Sequence, residues 1–378
     1  MANWIKKIIR FRTILVIASV TAVASLFLAY LSPYIHPDTI ELIPFFGLVY
    51  PIIVISVIIL GIIWAFMKSR WGFVMLGALV LGGNLHFRTL ALGSEDEIPR
   101  DTNVFKIMSY NVRLFDVYNE NLEEARSNRD SIISFIHRED PDVICFQEFY
   151  HQDKPTRFVT KDTISKLLGT KYTHERYSHK RIQRQNFGIC MLSKYEMIAQ
   201  GDVSFEVYAN TDNYCIYADI VKGKDTIRVY NIHLQSIKLQ QEDYALFGEK
   251  NKQAGGMKST ARLLFEKLTI AYPTRAEQAR KVVKHMESSP YPVVVCGDFN
   301  DTPMSYVYNQ FNRTLIDSYR ESCFGLGVTY VGKVPAGRID YIFHTPDLVS
   351  SKFKIQERAY SDHRAVQCQV WVPSKIVD

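Results

Sequence analysis

The sequence predicts an α/β domain, sheets covered by helices on both sides, preceded by a small transmembrane helical region. Three observations predict it. The first ninety or so of the 378 residues are almost uninterrupted apolar sequence. From Val104 onward, short β-rich runs alternate with amphipathic helical stretches. Several of those runs, such as VVVC at 293–296, are apolar throughout. That pattern belongs to strands buried on both faces, with layers on either side.

Residues 13–35 and 43–67 contain no Asp, Glu, Lys or Arg. About 20 apolar residues in a helix cross the hydrocarbon core, so each is long enough. A third run, 71–92, meets His86 and Arg88 and is marginal in length. A cleavable signal peptide would explain the basic start (Lys6, Lys7, Arg10, Arg12), but two further apolar runs argue for an anchor instead. Four basic residues precede the first run, none lies in the loop 36–42, and Lys68 and Arg70 follow the second run. Basic residues stay on the cytoplasmic side. Three crossings therefore put everything after Leu92 on the extracytoplasmic side; without the third, the remainder is cytoplasmic. The expected organisation is an anchor over 1–92 (helices about 13–35, 43–67 and 71–92), a polar linker over 93–103 and a soluble domain over 104–378. No ionisable residue lies in the middle of the runs, which argues against a transport pathway.

The net charge is +6; eight basic and six acidic residues up to Asn103 place +2 of it there and +4 in the rest. That bias is too weak for a nucleic-acid stripe and compatible with an anionic substrate. The six cysteines show no metal-binding spacing. Most sit in apolar runs, where Cys acts as a small buried hydrophobe.

In chain order, VFKIMSYNV (104–112) is a strand ending in polar residues. Residues 122–137 have helical spacing, and DVICFQE (142–148) is a strand followed by helix and loop to Lys171. FGICMLSK (187–194), YCIYADIV (214–221) and TIRVYNIHL (226–234) are strands, the last two flanking the turn KGKD (222–225) as a hairpin. Residues 240–259 are polar, contain Gly255 and Gly256, and form a surface insertion. A helix over 274–286 precedes the strand PVVVCGDFN (292–300); RIDYIFH (338–344) and AVQCQVWV (365–372) close the chain as strands.

The chemistry lies where these strands run out. Asn111, Glu148, His233, Asp298 and Asn300 each fall at a strand end, Asp340 sits inside RIDYIF, and Asp362 and His363 precede the last strand. Ends of buried strands are where a fold gathers polar groups from distant sequence. Singly, each is more often a turn, a cap or a satisfied histidine. Together, SYNVR (109–113), FQE (146–148), NIHL (231–234), GDFND (297–301), RIDYI (338–342) and SDHRAV (361–366) resemble the endonuclease/exonuclease/phosphatase superfamily, over residues 104–372.

The resemblance implies a four-layered α/β sandwich, two mixed sheets packed face to face with helices outside, and hydrolysis of phosphate esters with Mg²⁺ or Mn²⁺. It implies Glu148, Asn111 and Asp362 around the metal, which suits a hard cation that prefers oxygen ligands. It implies Asp298 as the group that orients or deprotonates water, and Asn300 as holding phosphate or water. His363 stabilises the phosphate with Asp340 behind it, and His233 assists the leaving group. Arg184 and Asn186 lie where some relatives place phosphate-contacting side chains, although an ordinary solvated loop is the favoured reading. The implied partners are a phosphate ester (nucleic acid, phospholipid or small phosphoester) and a lipid bilayer, with no obligate protein partner. The alternative is a catalytically silent, membrane-tethered binding module of the same fold. All the expected polar positions are filled, which argues against it. No long basic, aromatic-rich loop for duplex penetration and no inositol-phosphate cluster of Lys and Arg is present.

Overall fold

The computed structural model describes residues 2–95, 97–99, 102–153, 159–177, 185–205, 213–237, 256–332 and 336–373. The chain divides into two compact units: Met1–Leu90 with Thr302–Asn309, and Ala91–Asp301 with Gln310–Asp378.

In the first unit, helix α1 covers Ala2–Leu31, and its Ile9–Leu31 stretch is long and apolar enough to cross a membrane. The second apolar run is split. Helix α2 (Ile43–Leu48) stops at Val49, and α3 (Tyr50–Phe66) restarts with Pro51 in its first turn, where the missing N–H costs nothing. The third run forms α4 over Trp71–Gly82, then breaks at Gly83 (φ +42) before a short α5, His86–Thr89. Its polar end is absorbed within the unit. His86 contacts the hydroxyl of Tyr50 at 2.5 Å and the carbonyl of Leu79 at 2.7 Å. Arg88 donates to Asn309 Oδ1 at 3.0 Å.

The second unit contains helices α6 (Leu122–Glu139), α7 (Thr160–Leu168), α8 (Gly256–Met286) and α10 (Ser318–Ser322); α9 (Tyr306–Asn312) runs across the boundary in sequence. Its strands are β1 (Ala91–Leu92), β2 (Phe105–Asn111), β3 (Val143–Gln152), β4 (Tyr172–Tyr177), β5 (Gln185–Ser193), β6 (Glu196–Asp202), β7 (Tyr214–Lys222), β8 (Asp225–His233), β9 (Val293–Asp298), β10 (Ile316–Asp317), β11 (Phe324–Gly325), β12 (Asp340–His344), β13 (Val349–Ile355) and β14 (Val366–Trp371). Two six-stranded mixed sheets result, ordered β10-β12-β9-β8-β7-β6 and β13-β14-β2-β3-β5-β4; β1 pairs separately with β11. In each, one parallel pair (β8 with β9, β2 with β3) sits among antiparallel neighbours.

Alternation along the strands makes the layers. Ile107, Cys145, Ile189, Val229, Cys296, Ile342 and Cys368 belong to one fully buried cluster drawn from both sheets. Their neighbours Met108, Ile144 and Phe146 pack with Ile132 and Phe135 of α6 and Ile164 of α7. On the other sheet Tyr230 bonds His285 of α8 at 2.8 Å. This is the expected four-layered sandwich. The β7–β8 hairpin turns at Gly223, whose φ of +59 favours glycine. All six cysteines are free thiols, five of them buried.

Besides the two-residue β1, β10 and β11, three longer strands were not legible from sequence: β4, β6 and β13. Each lies at a sheet edge, where one side needs no apolar partner and the pattern turns polar. Helix α8 begins at Gly256 rather than at 274, continuing through Pro273. Of the expected insertion at 240–259, residues 240–255 lie outside the described residues.

Candidate active site

The alternation that builds the inter-sheet core also builds the site. On β2, Ile107, Ser109 and Asn111 share one side; on β8, Val229, Asn231 and His233 do; on β9, Val294, Cys296 and Asp298; on β12, Ile342 and Asp340. Apolar residues fill the middle of this layer, and polar ones take over at one end. Ser109, Gln147 and Asn231 form the transition. Gln147 donates to Asn231 Oδ1 at 2.7 Å, and Asn231 donates to the carbonyls of Phe146 and Cys190 at 3.0 and 3.1 Å. Sequence reasoning passed over Gln147 and Asn231, because nothing local distinguishes a bridging amide from a surface one.

Glu148 would point to the opposite side from Gln147 in a regular strand. A register shift in β3 between Phe146 and Phe149, with Glu148 at φ +47, changes its direction. Its carboxylate then accepts from Asn111 Nδ2 at 3.4 Å. Asn300 also takes a left-handed conformation, φ +53. Gly297 has φ +149, and a Cβ there would lie 1.9 Å from the carbonyl oxygen of Ile232. Glycine is what allows β8 and β9 to approach this closely beneath Asp298.

Asp298 is the hub. Its Oδ2 accepts from Asn111 Nδ2 at 3.0 Å and its Oδ1 from the Asn300 backbone N–H at 2.8 Å. The Nε2 atoms of His363 and His233 lie 3.7 and 3.8 Å from Oδ2. His233 Nε2 is also 3.9 Å from Glu148. Behind His363, both oxygens of Asp340 sit 3.0–3.1 Å from Nδ1. The Tyr330 ring meets the imidazole edge-on at 5.0 Å. Ser361 ties Asp362 to β2, donating to the Asn111 carbonyl at 3.0 Å with Asp362 Oδ1 at 3.2 Å. The Asn300 side chain donates to the Leu234 carbonyl at 3.1 Å.

The charges fit this crowding. Burial first, then Asp362 and Asp298, pushes the Glu148 carboxyl up to about 7. Burial likewise raises Asp298, with Asp340 adding to it and His363 opposing. Burial alone would discharge His363; Asp340 and then Asp298 outweigh it and hold the imidazole charged well above its ordinary range.

Asp298, Asp340 and His363 present ligand-type atoms within 4.8 Å of one another. Asp340 spends both oxygens on His363, so this trio is better described as a charged hydrogen-bonded pair facing a carboxylate than as a metal cage. Glu148 is crowded by two carboxylates, Asp362 and Asp298, with His363 opposing them and His233 3.9 Å away. With 35 % of its side chain accessible, it lines a groove of about 980 Å³ together with Asp362. Glu148, Asp362 and the Asn111 amide are oxygen-rich donors suited to a hard divalent cation.

Of the remaining expected residues, Asn186 is buried at the start of β5 and donates to Asp153 at 3.1 Å, apart from the Asp298 cluster in its hydrogen bonding. Arg184 lies outside the described residues. Arg338, left without a role by sequence, donates to the buried Asp317 at 2.7 Å, beneath α10.

Residues 108–363 match the endonuclease/exonuclease/phosphatase family, and residues 11–89 match a domain of unknown function. No curated protein matches the chain. Among solved structures, the endonuclease/exonuclease/phosphatase from Bacteroides vulgatus is 15% identical with a TM-score of 0.51, covering 71% of this chain and 99% of that one. A family protein from Leptotrichia buccalis C-1013-b is 17% identical with a TM-score of 0.50, covering 71% and 100%. One from Bacteroides thetaiotaomicron is 16% identical with a TM-score of 0.50, covering 71% and 95%. At such identities the likeness is one of fold.

Proposed function

Because the chain belongs to the endonuclease/exonuclease/phosphatase family, we propose that it is a divalent-metal-dependent phosphoesterase carried on an N-terminal membrane anchor. The observation that carries this reading is the convergence on Asp298 of Asn111, His233 and His363, from strands and loops up to about 250 positions apart.

In this reading Glu148, Asp362 and Asn111 hold Mg²⁺ or Mn²⁺, which when bound draws charge from a phosphoryl oxygen. Asp298 takes the proton of the attacking water. Its two oxygens are already fixed by Asn111 and Asn300, and its raised proton affinity makes it a better base than an exposed aspartate. His363, charged and held by Asp340, stabilises the negative charge that grows on the phosphoryl oxygens. His233, 3.8 Å from the same oxygen of Asp298, supports the leaving group.

Helix α1 is assigned to the bilayer on its length and apolar composition. The match of 11–89 to a separate domain type supports treating these residues as a unit of their own. The distribution of basic residues favours an extracytoplasmic catalytic domain, provided that 71–92 crosses. Helix α4 alone is about 18 Å long at 1.5 Å per residue, against a core of about 30 Å; the crossing therefore depends on the turns that follow it. Protease digestion of sealed vesicles of known orientation checks the side: protection of the domain inside right-side-out vesicles would place it in the cytoplasm.

The test of the reaction is hydrolysis of bis(p-nitrophenyl) phosphate by the full chain in detergent, with Mg²⁺, with Mn²⁺ and with EDTA. Turnover restored by Mg²⁺ after EDTA is expected. Undiminished turnover in EDTA overturns the metal assignment, and no turnover on any phosphoester of a broad panel overturns the enzyme.

A further inference from the structure

Directly after β2 the chain does something L-residues avoid. Arg113, Leu114, Phe115 and Asp116 have φ of +44, +54, +53 and +58. Each such residue brings its Cβ against a neighbouring carbonyl, and a run of four persists only where the surroundings over-determine it. Those surroundings are visible. Phe115 is fully buried, edge-on to Phe149 at 5.4 Å. The Arg113 N–H donates to Asn111 Oδ1 at 3.0 Å. Asp116 accepts from the amides of Asn119 and Asn128, each at 2.8 Å.

The turn brings Arg113 into the groove that Glu148 and Asp362 line. Its Nε is 3.7 Å from Asp362 and its Nη1 3.8 Å from Asp116, with 51 % of the side chain accessible. Both distances exceed hydrogen-bond length, and half-exposed pairs of this kind add little to stability. The ion pairs aim the guanidinium into the groove. Among the described groove residues, Arg113 is the one Lys or Arg, set against Asp116, Glu120, Glu124, Glu148 and Asp362. A planar guanidinium fork matches two oxygens of a phosphate.

We propose that Arg113 is the substrate-binding cation of this site, gripping the non-bridging oxygens of the phosphoester. The carboxylates among the described groove residues favour an ester with a single phosphate. A strand of successive phosphates laid along the groove would meet Glu120 and Glu124. The proposal rests on the phosphoester reading of the Asp298 cluster, and its test separates the two.

Inorganic phosphate is titrated calorimetrically into the full chain in detergent, with and without Mg²⁺, for the wild type, Arg113→Gln and Arg113→Lys. Loss of a charge-assisted contact is expected to weaken phosphate binding roughly 10- to 100-fold in Arg113→Gln. Arg113→Lys should recover part of it, since the charge remains and the fork does not. With bis(p-nitrophenyl) phosphate, Arg113→Gln should raise KM and also lower kcat, with Arg113→Lys recovering part of both. Unchanged phosphate affinity in Arg113→Gln overturns the assignment. Collapse of the thermal midpoint in both variants also overturns it, by making the side chain structural. Arg113-dependent phosphate binding without turnover by the wild type sinks the phosphoesterase reading and leaves Arg113 standing. A single-stranded oligonucleotide cleaved faster than the small diester refutes the single-phosphate preference.

Discussion

The side-chain amide of Asn111, at the end of β2, donates 3.0 Å to the carboxylate of Asp298, at the end of β9 in the facing sheet. The two residues are 187 positions apart, and their bond closes the site across the sandwich. It also fixes the oxygen of Asp298 nearest both histidines.

Asp298→Asn keeps the volume and removes the base. A drop in kcat of about 10²–10⁴-fold is expected, the usual contribution of a positioned general base. The thermal midpoint should fall modestly, because both oxygens accept hydrogen bonds and the amide replaces one acceptor with a donor. Steady-state kinetics beside a melting curve checks both; unchanged kcat would remove Asp298 from the reaction.

The Glu148 carboxyl, raised to about 7 from 4.5 by burial and then by Asp362 and Asp298, sets a pH window. Without a cation, its contribution to stability is present in full below its unfolded value and is lost as pH rises through about 7. A divalent cation needs the carboxylate and competes with the proton. The thermal shift produced by Mg²⁺ should be small near about pH 6 and large near about pH 8, and Glu148→Gln should abolish that dependence. A shift independent of pH would place the cation elsewhere.

Asp340→Asn should lower the proton affinity of His363. In the wild type the charged pair contributes stability below the unfolded histidine value, and that contribution is lost only as pH rises through the raised native one. The variant should lose it across the neutral range. Titration of the His363 ring signals by NMR reads the change directly, and activity should fall at neutral pH. A ring signal that titrates identically in both proteins would contradict the pairing.

Asn231→Ala removes one buried partner from Gln147, which keeps Ser109, and one from each of the carbonyls of Phe146 and Cys190. Unsatisfied groups of this kind cost about 1–3 kcal/mol each, so urea unfolding should show a loss of roughly 2–4 kcal/mol if the groups relax in part. A loss below about 0.5 kcal/mol would mean that the bridge between the sheets is dispensable.

The sequence by itself determined what each strand end carries. The apolar run VVVC and the apolar residues of RVYNI must be buried, the strand period of two assigns every second residue to one side, and the terminal Asp, Asn and His cannot be buried without partners. It also marked residues 13–35 as an apolar run long enough for a bilayer; the structure ends that helix at Leu31. Only the tertiary structure decided which ends meet. Hydrogen bonding between strands paired β2 with β3 and β8 with β9, and sheet packing brought Asn111 to Asp298; separations of this size leave no mark on local pattern. The edge strands β4, β6 and β13 stayed hidden for the same reason, since half-exposed residues obey no strict alternation. The bulge that turns Glu148 and the left-handed run that turns Arg113 were likewise invisible. Both are backbone conformations that the residues themselves disfavour, and the packing of Phe115 and Phe149 around them holds them in place.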